Sequence, residues 1–269
     1  MFAYFIYIIA GMGAGIGTGL AGLSAAAVIS PMLITFLGFD PYEAVGISLA
    51  SDVLASAISA YTYGKNKNLD IKNGLVMLAS VLVFTLIGSY IASLVPGGTM
   101  GSFSVFMTLL LGIKFIVRPV MTTKEAQAEK TQKEKNIQSL ICGCFIGFIC
   151  GFIGAGGGMM LLLILTSVLQ YELKTAVGTS VFIMSFTAFT GACSHFVMGG
   201  MPDIEALIVC IIATLLGARV AALFANKAEP KALNRATGIV LTILGIAMVS
   251  VKFLWSNKRR QVSSFILQS

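Results

Sequence analysis

Residues 147–169 read GFICGFIGAGGGMMLLLILTSVL. Gly156, Gly157 and Gly158 are consecutive, with an apolar run on either side. Each glycine in a helix interior costs roughly 1 kcal/mol relative to alanine, so three together break the helix. The run behind the break, 157–169, holds about 13 residues. Crossing a bilayer core of roughly 30 Å takes about 20 apolar residues. A short apolar element behind a glycine break therefore reads as a broken or re-entrant segment at membrane depth.

The rest of the chain agrees with a membrane setting. Mean hydropathy is +0.93, 57% of residues are hydrophobic and only 11% are charged, against about 25% charged in soluble domains. The charges cluster in 64–73, 114–135, 226–235 and 252–260, with long apolar stretches between them. Amphipathic helices with a polar face, which a soluble α-protein would need, are not found. The net charge of +7 sits in short loops, as the positive-inside rule requires. No basic stripe with interleaved aromatics points to nucleic acid. The opening MFAYFIYIIAGMGAG has neither a basic n-region nor a small-residue cleavage site, so a cleaved signal peptide is not expected. Cys142, Cys144, Cys150, Cys193 and Cys210 lie in apolar stretches and read as packing residues rather than a disulfide or zinc framework. No cofactor is expected.

Ten helical elements are predicted: 2–21, 24–37, 43–63, 72–94 and 99–118, then 137–153, 157–169, 174–198, 203–225 and 230–254. Turns fall at Gly38–Pro41, Pro96–Gly98 and Gly199–Pro202. The segment Thr122–Lys135 (TTKEAQAEKTQKEK) is a solvated linker. The expected organisation is a first transmembrane repeat at 1–120, a polar cytoplasmic linker at 121–136, a second repeat at 137–256 and a tail at 257–269.

Duplication is visible in four blocks that keep their order. Ala44-Val-Gly-Ile-Ser48 matches Ala176-Val-Gly-Thr-Ser180. At the same offset Gly15, Gly19, Gly22 and Asp40 meet Gly147, Gly151, Gly154 and Glu172. Leu86–Ser89 then meets Leu215–Ala218, and Leu111–Ile113 meets Leu244–Ile246. Equivalent loops carry opposite charge bias. Loop 64–73 has Lys65, Lys67 and Lys72, while its counterpart 199–205 has Asp203 and Glu205. Loop 95–99 is uncharged, while 226–235 has Lys227, Lys231 and Arg235. That swap predicts an all-α polytopic membrane protein of two inverted repeats, about five helical elements each, with a Gly-rich break in each half. The C-terminal Lys258-Arg259-Arg260 goes against the scheme, because it falls outside.

Inverted repeats place a transport site where broken helices meet at the midplane. A helix N-terminus carries about half a positive charge and unpaired N–H groups, which suits an anion. The predicted substrate-binding set is Gly22, Ser24, Ser48, Ser51, Gly154, Gly156, Gly157, Gly158, Thr179, Ser180 and Arg219. The hydroxyls can donate to an anion's oxygens, or bond back to their own helices. Arg219 either faces the site or snorkels to the interface; Arg118 snorkels. Asp52, near the middle of its span, is the candidate for ion coupling through a proton or Na⁺. Single His195 is read as an interfacial polar group. Asp40 and Glu172 complement the dipoles of the helices they begin.

Gly151-Phe-Ile-Gly-Ala-Gly-Gly-Gly158 with Ala176-Val-Gly-Thr-Ser180 resembles the sulfite exporter TauE/SafE family of membrane permeases. Gly19-Leu-Ala-Gly-Leu-Ser24 with Ala44-Val-Gly-Ile-Ser48 is similar to that family's first repeat. Ser24-Ala25-Ala26 stands where the second copy has Gly156-Gly157-Gly158, so the half-sites are unequal. The resemblance implies a multi-pass plasma-membrane permease, not an enzyme, moving a small anion such as sulfite or an organosulfonate by alternating access. Homo-oligomerisation is left open. The alternatives are a passive anion channel and a thiol-dependent sulfur-compound transporter using Cys150.

Overall fold

The computed structural model describes residues 1–93, 131–153 and 157–229, with isolated positions at 113 and between 232 and 250. Among the described residues the regular structure is helical throughout. The expected elements 99–118 and 230–254, most of the linker and the tail 257–269 lie outside the described residues, as do Lys114 and Arg118.

Helix α1 (Phe2–Ala21) ends at Gly22, whose φ of +62° is the left-handed conformation glycine adopts without strain. The element expected as one helix over 24–37 is three pieces. A 3₁₀ turn covers Ala25–Ala27, α2 covers Ile29–Met32, and a π turn covers Leu33–Leu37. Pro31 supplies part of the reason. It has no N–H to give the Ala27 carbonyl, so a regular α-ladder cannot run through this segment. Helix α3 (Pro41–Lys65) starts two residues earlier than expected. Its N-cap Asp40 accepts from the N–H groups of Tyr42 (2.9 Å) and Glu43 (3.4 Å), with proline at the first helical position. Glu172, its repeat counterpart, holds the N-cap position of α7 without a side-chain cap bond.

The remaining helices are α4 (Ile71–Ser93), α5 (Gln132–Ile153), α6 (Gly157–Ser167), α7 (Leu173–Gly199) and α8 (Ile204–Lys227). The first turn of α5 falls in the segment read as linker. Helices α1, α3, α4, α7 and α8 are each long and apolar enough to span a membrane. Their outward faces carry large apolar side chains, including Phe5, Leu54, Val83, Phe189 and Val220. Lipid is the solvent these faces fit, and the chain is a multi-pass membrane protein.

Glycines set the packing. A methyl group at Gly11, Gly15 or Gly19 of α1 would run into the backbone of α8 near Cys210, Thr214 and Ala218. Gly143 and Gly147 of α5 lie equally close to α4, at Met77 and Val81. Small residues admit such close approach, which is how helices associate in lipid. The first contact joins α1 to α8 and the second joins α5 to α4. Within each pair the helices run in the same direction.

The two ends differ in charge. At one end Tyr4 donates to Glu205 (2.7 Å) and the Asp203 N–H donates to Glu43 (2.8 Å). At the other, Tyr171 donates to Asp70 (2.8 Å), Asn68 to Asn226 (2.8 Å) and Lys174 to the Asn226 carbonyl (3.1 Å), with Lys65, Lys67 and Lys227 nearby in sequence. Helices α1, α3 and α8 start at the acidic end. Helices α4 and α7 start at the basic end, and α5 runs alongside α4.

Candidate functional site

Among the described residues, the turn that follows α1 and the start of α6 touch. Behind α1, residues Gly22–Ser24 reverse the chain into the 3₁₀ turn. Behind α5, α6 begins at Gly157. The space a side chain would take at Gly158 is filled by the Gly22 carbonyl, by Met184 Sδ at 2.5 Å and by the Ser24 nitrogen at 2.8 Å. At Gly22, a Cβ would meet the Ser180 hydroxyl.

A cavity of about 50 Å³, measured by where the centre of a water fits, opens at this junction. The first half contributes Ser24, Asp52 of α3 and Thr85 of α4. The second contributes Cys150 of α5, Gly157 and Gly158 of α6, and Met184 and His195 of α7. Asp52 lies near the middle of the 25-residue α3, roughly 17–20 Å from either end at 1.5 Å per residue. The wall carries no Lys or Arg among the described residues.

Asp52 is 1% exposed. Ser56 donates to its Oδ1 at 2.9 Å. Ser24, the Ala25 N–H and Thr18 lie around the same carboxylate. Its Oδ2 finds no hydrogen-bond partner among the described residues, and neither does the buried Thr85 Oγ1. A buried polar atom left unpaired costs roughly 1–3 kcal/mol, more if charged. Two such oxygens on the wall of one cavity are therefore oxygens with capacity for a ligand. At the acidic side of the wall, the His195 ring stacks on Tyr42 with centroids 4.1 Å apart, and its Nδ1 is 3.2 Å from the Tyr42 carbonyl.

Five of the residues singled out in the sequence meet at this junction: Gly22, Ser24, Asp52, Gly157 and Gly158. Gly154 and Gly156 lie outside the described residues. The hydroxyls expected to donate to substrate are otherwise engaged. Ser48 donates to the Ala44 carbonyl (2.5 Å), Ser51 to Ile47 (2.8 Å) and Ser180 to Val177 (2.8 Å). Each bonds its own helix because a carbonyl one turn back is always within reach, whatever the tertiary structure. Thr179 accepts from the Asp70 N–H (3.2 Å), away from the cavity wall. Arg219 is exposed on α8 and does not line the cavity. His195, read as interfacial, lines the cavity. Thr85, Thr187 and Met184 were not anticipated. Met184 had one signal, because at the repeat offset it stands where Asp52 does.

The sulfite exporter TauE/SafE family matches residues 7–248. Similar proteins include the probable membrane transporter protein YunE of Bacillus subtilis (strain 168), 25% identical and covering 92% of this chain and 97% of that one. The probable membrane transporter protein MJ0441 of Methanocaldococcus jannaschii is 26% identical, covering 91% and 94%. The probable membrane transporter protein YdhB of Bacillus subtilis (strain 168) is 23% identical, covering 87% and 96%. The match runs from within α1 to beyond α8 and takes in most of the chain, and the chain belongs to the sulfite exporter TauE/SafE family of membrane permeases.

Proposed function

We propose that this protein is a secondary permease of the cell membrane that carries a small anion, of the sulfite or organosulfonate class, by alternating access. The observation that carries the reading is the junction of Gly158 with Gly22 and Ser24, beside the cavity that Gly158 and Ser24 line. With no Lys or Arg on that wall among the described residues, the positive potential for an anion comes from the N-terminus of α6 and from backbone N–H groups near Ser24. Gly157 and Gly158 bring that terminus to the cavity wall while packing closely against Cys150 and against Gly22 and Ser24 of the other half. Gly22, Ser24, Gly157 and Gly158 form the substrate site in this reading, with Asp52 as the ion-coupling residue. Sulfur specificity comes from the family's name.

The halves are inverted repeats in this account. In support, α1 leaves the acidic end while α5 runs the same way as α4, away from the basic end. The basic end faces the cytoplasm by the positive-inside rule. Rocking of one half against the other must break the contacts among Asp70, Tyr171, Asn68 and Asn226 that join them there. Such a closed end favours alternating access over an open channel. The thiol-dependent reading keeps one specific support, since Cys150 lies beside Gly157 on the cavity wall.

The test is flux in proteoliposomes loaded with sulfite, thiosulfate, alkanesulfonates or small carboxylates. A permease gives saturable uptake that is accelerated by the same anion on the opposite side. Conductance that rises linearly with concentration, without that acceleration, is the channel result.

A further inference from the structure

We propose that Asp52 Oδ2 is a proton site inside the anion cavity, with Thr85 Oγ1 a second unpartnered oxygen on the same wall, so that the anion crosses together with a proton and in the same direction. The inference rests on the permease reading above. It begins from the two oxygens that lack partners among the described residues, both buried and both on the wall of the one cavity.

The sign of the coupling follows from charge. Asp52 is the acidic group on the wall among the described residues, and no Lys or Arg offsets it. The other titratable groups facing the cavity are Cys150 on α5 and His195 on α7; α1, α4 and α8 bring none to its wall. A space of about 50 Å³ cannot hold an anion far from the Asp52 carboxylate. Two like charges about 4 Å apart, at the effective dielectric of a protein site, weaken binding by about a thousandfold. The anion therefore enters when Asp52 is protonated and is expelled once the proton leaves. Binding of proton and anion is mutually favourable, which is symport. A proton on Oδ2 gives that oxygen a hydrogen to donate to the anion, and the Thr85 hydroxyl has a second one on the same wall.

A proton fits this site more simply than a metal cation. A metal cation needs several free oxygen ligands at once, whereas a proton needs one. Asp52 is the one carboxylate on this wall among the described residues, and no group of three or more His, Cys, Asp or Glu able to hold a metal ion is found among them. The stoichiometry is one to one. Met184 occupies the repeat position equivalent to Asp52, so the second half supplies no matching carboxylate.

The experiment uses the full chain in proteoliposomes. Anions that undergo counterflow are selected first from sulfite, thiosulfate, methanesulfonate and acetate. Each is then given an inward proton gradient of one pH unit, or an inward Na⁺ gradient at equal pH. For a singly charged strong-acid anion such as methanesulfonate, one proton per anion gives about tenfold accumulation that is insensitive to membrane potential. Asp52→Asn abolishes the accumulation and flattens the pH profile of counterflow. Thr85→Val moves the midpoint of that profile, whereas a purely structural role would change the rate alike at every pH. Accumulation driven by Na⁺, expulsion of the anion by an inward proton gradient, or counterflow without proton-driven accumulation overturns the proton site and leaves the permease reading standing. Absence of counterflow for the whole panel removes the permease reading for these anions, and the inference with it.

Discussion

Replacing Gly158 with alanine adds one methyl group where the two halves meet. That methyl would collide with the Gly22 carbonyl and would lie 2.8 Å from the Ser24 nitrogen, both of them backbone atoms of the opposite half. Met184 Sδ, 2.5 Å away, can move because it ends a flexible side chain. The backbone of Gly22–Ser24 cannot move without shifting the end of α1. Overpacking of this kind costs about 1–3 kcal/mol. Gly158 sits in the first turn of α6, so the helix gains little from alanine there. Gly13 is the control: its nearest neighbour for a new methyl is Val28 Cγ1 at 3.8 Å, an ordinary contact. In the interior of α1, alanine at that position gains up to about 1 kcal/mol. The two substitutions therefore have opposite signs. Thermal unfolding in detergent should show a lower midpoint for Gly158→Ala and an equal or higher one for Gly13→Ala. Anion flux in proteoliposomes should fall for the first variant alone. A Gly158→Ala protein with wild-type midpoint and flux would refute the packing of the two breaks described here.

Tyr171→Phe removes the hydroxyl that binds Asp70 at 2.8 Å. A hydrogen bond to a charged acceptor is worth about 1.5–3 kcal/mol, so faster hydrogen exchange is expected in 66–73; unchanged exchange would show that this contact does not hold the basic end shut. Cys150→Ala should transport sulfite at close to the wild-type rate, because the thiol fills space beside Gly157; loss of flux with normal folding would favour sulfur relay. Arg219→Gln should leave both flux and stability near wild type, within about ±0.5 kcal/mol for an exposed position. A raised KM for the anion would place the guanidinium in the site after all.

Much of the fold could be read from the sequence because lipid imposes long apolar spans and glycine marks their interruptions. The Asp40-Pro41 start of α3 was also legible, since capping is a local interaction of a few residues. The segment 24–37 was not, because its apolar composition hides the effect of Pro31 on the ladder. At the site, Asp52 and the glycines stood out because a buried charge and a broken helix are costly anywhere in a membrane. The serines misled. Ser48, Ser51 and Ser180 have a local partner one turn back, and only tertiary structure decides between that partner and a ligand. Thr85 could not be distinguished from such residues until its hydroxyl was found without a partner. Arg219 could have been excluded earlier: the buried face of α8 runs through Ala206, Cys210, Ala213, Gly217, Ala221 and Ala225, and Arg219 falls off that stripe.

Binding of one small anion in the cavity beside Gly158 and Ser24 is what the permease reading requires. It is tested most directly with a Ser24→Cys variant, alkylated in proteoliposomes over a series of sulfite or alkanesulfonate concentrations and read at that residue by peptide mass spectrometry. Saturable protection of position 24 by a transported anion is expected, with Cys193, exposed and off the cavity wall, reacting at a constant rate. Alkylation at position 24 that is indifferent to an anion the protein demonstrably transports would contradict it.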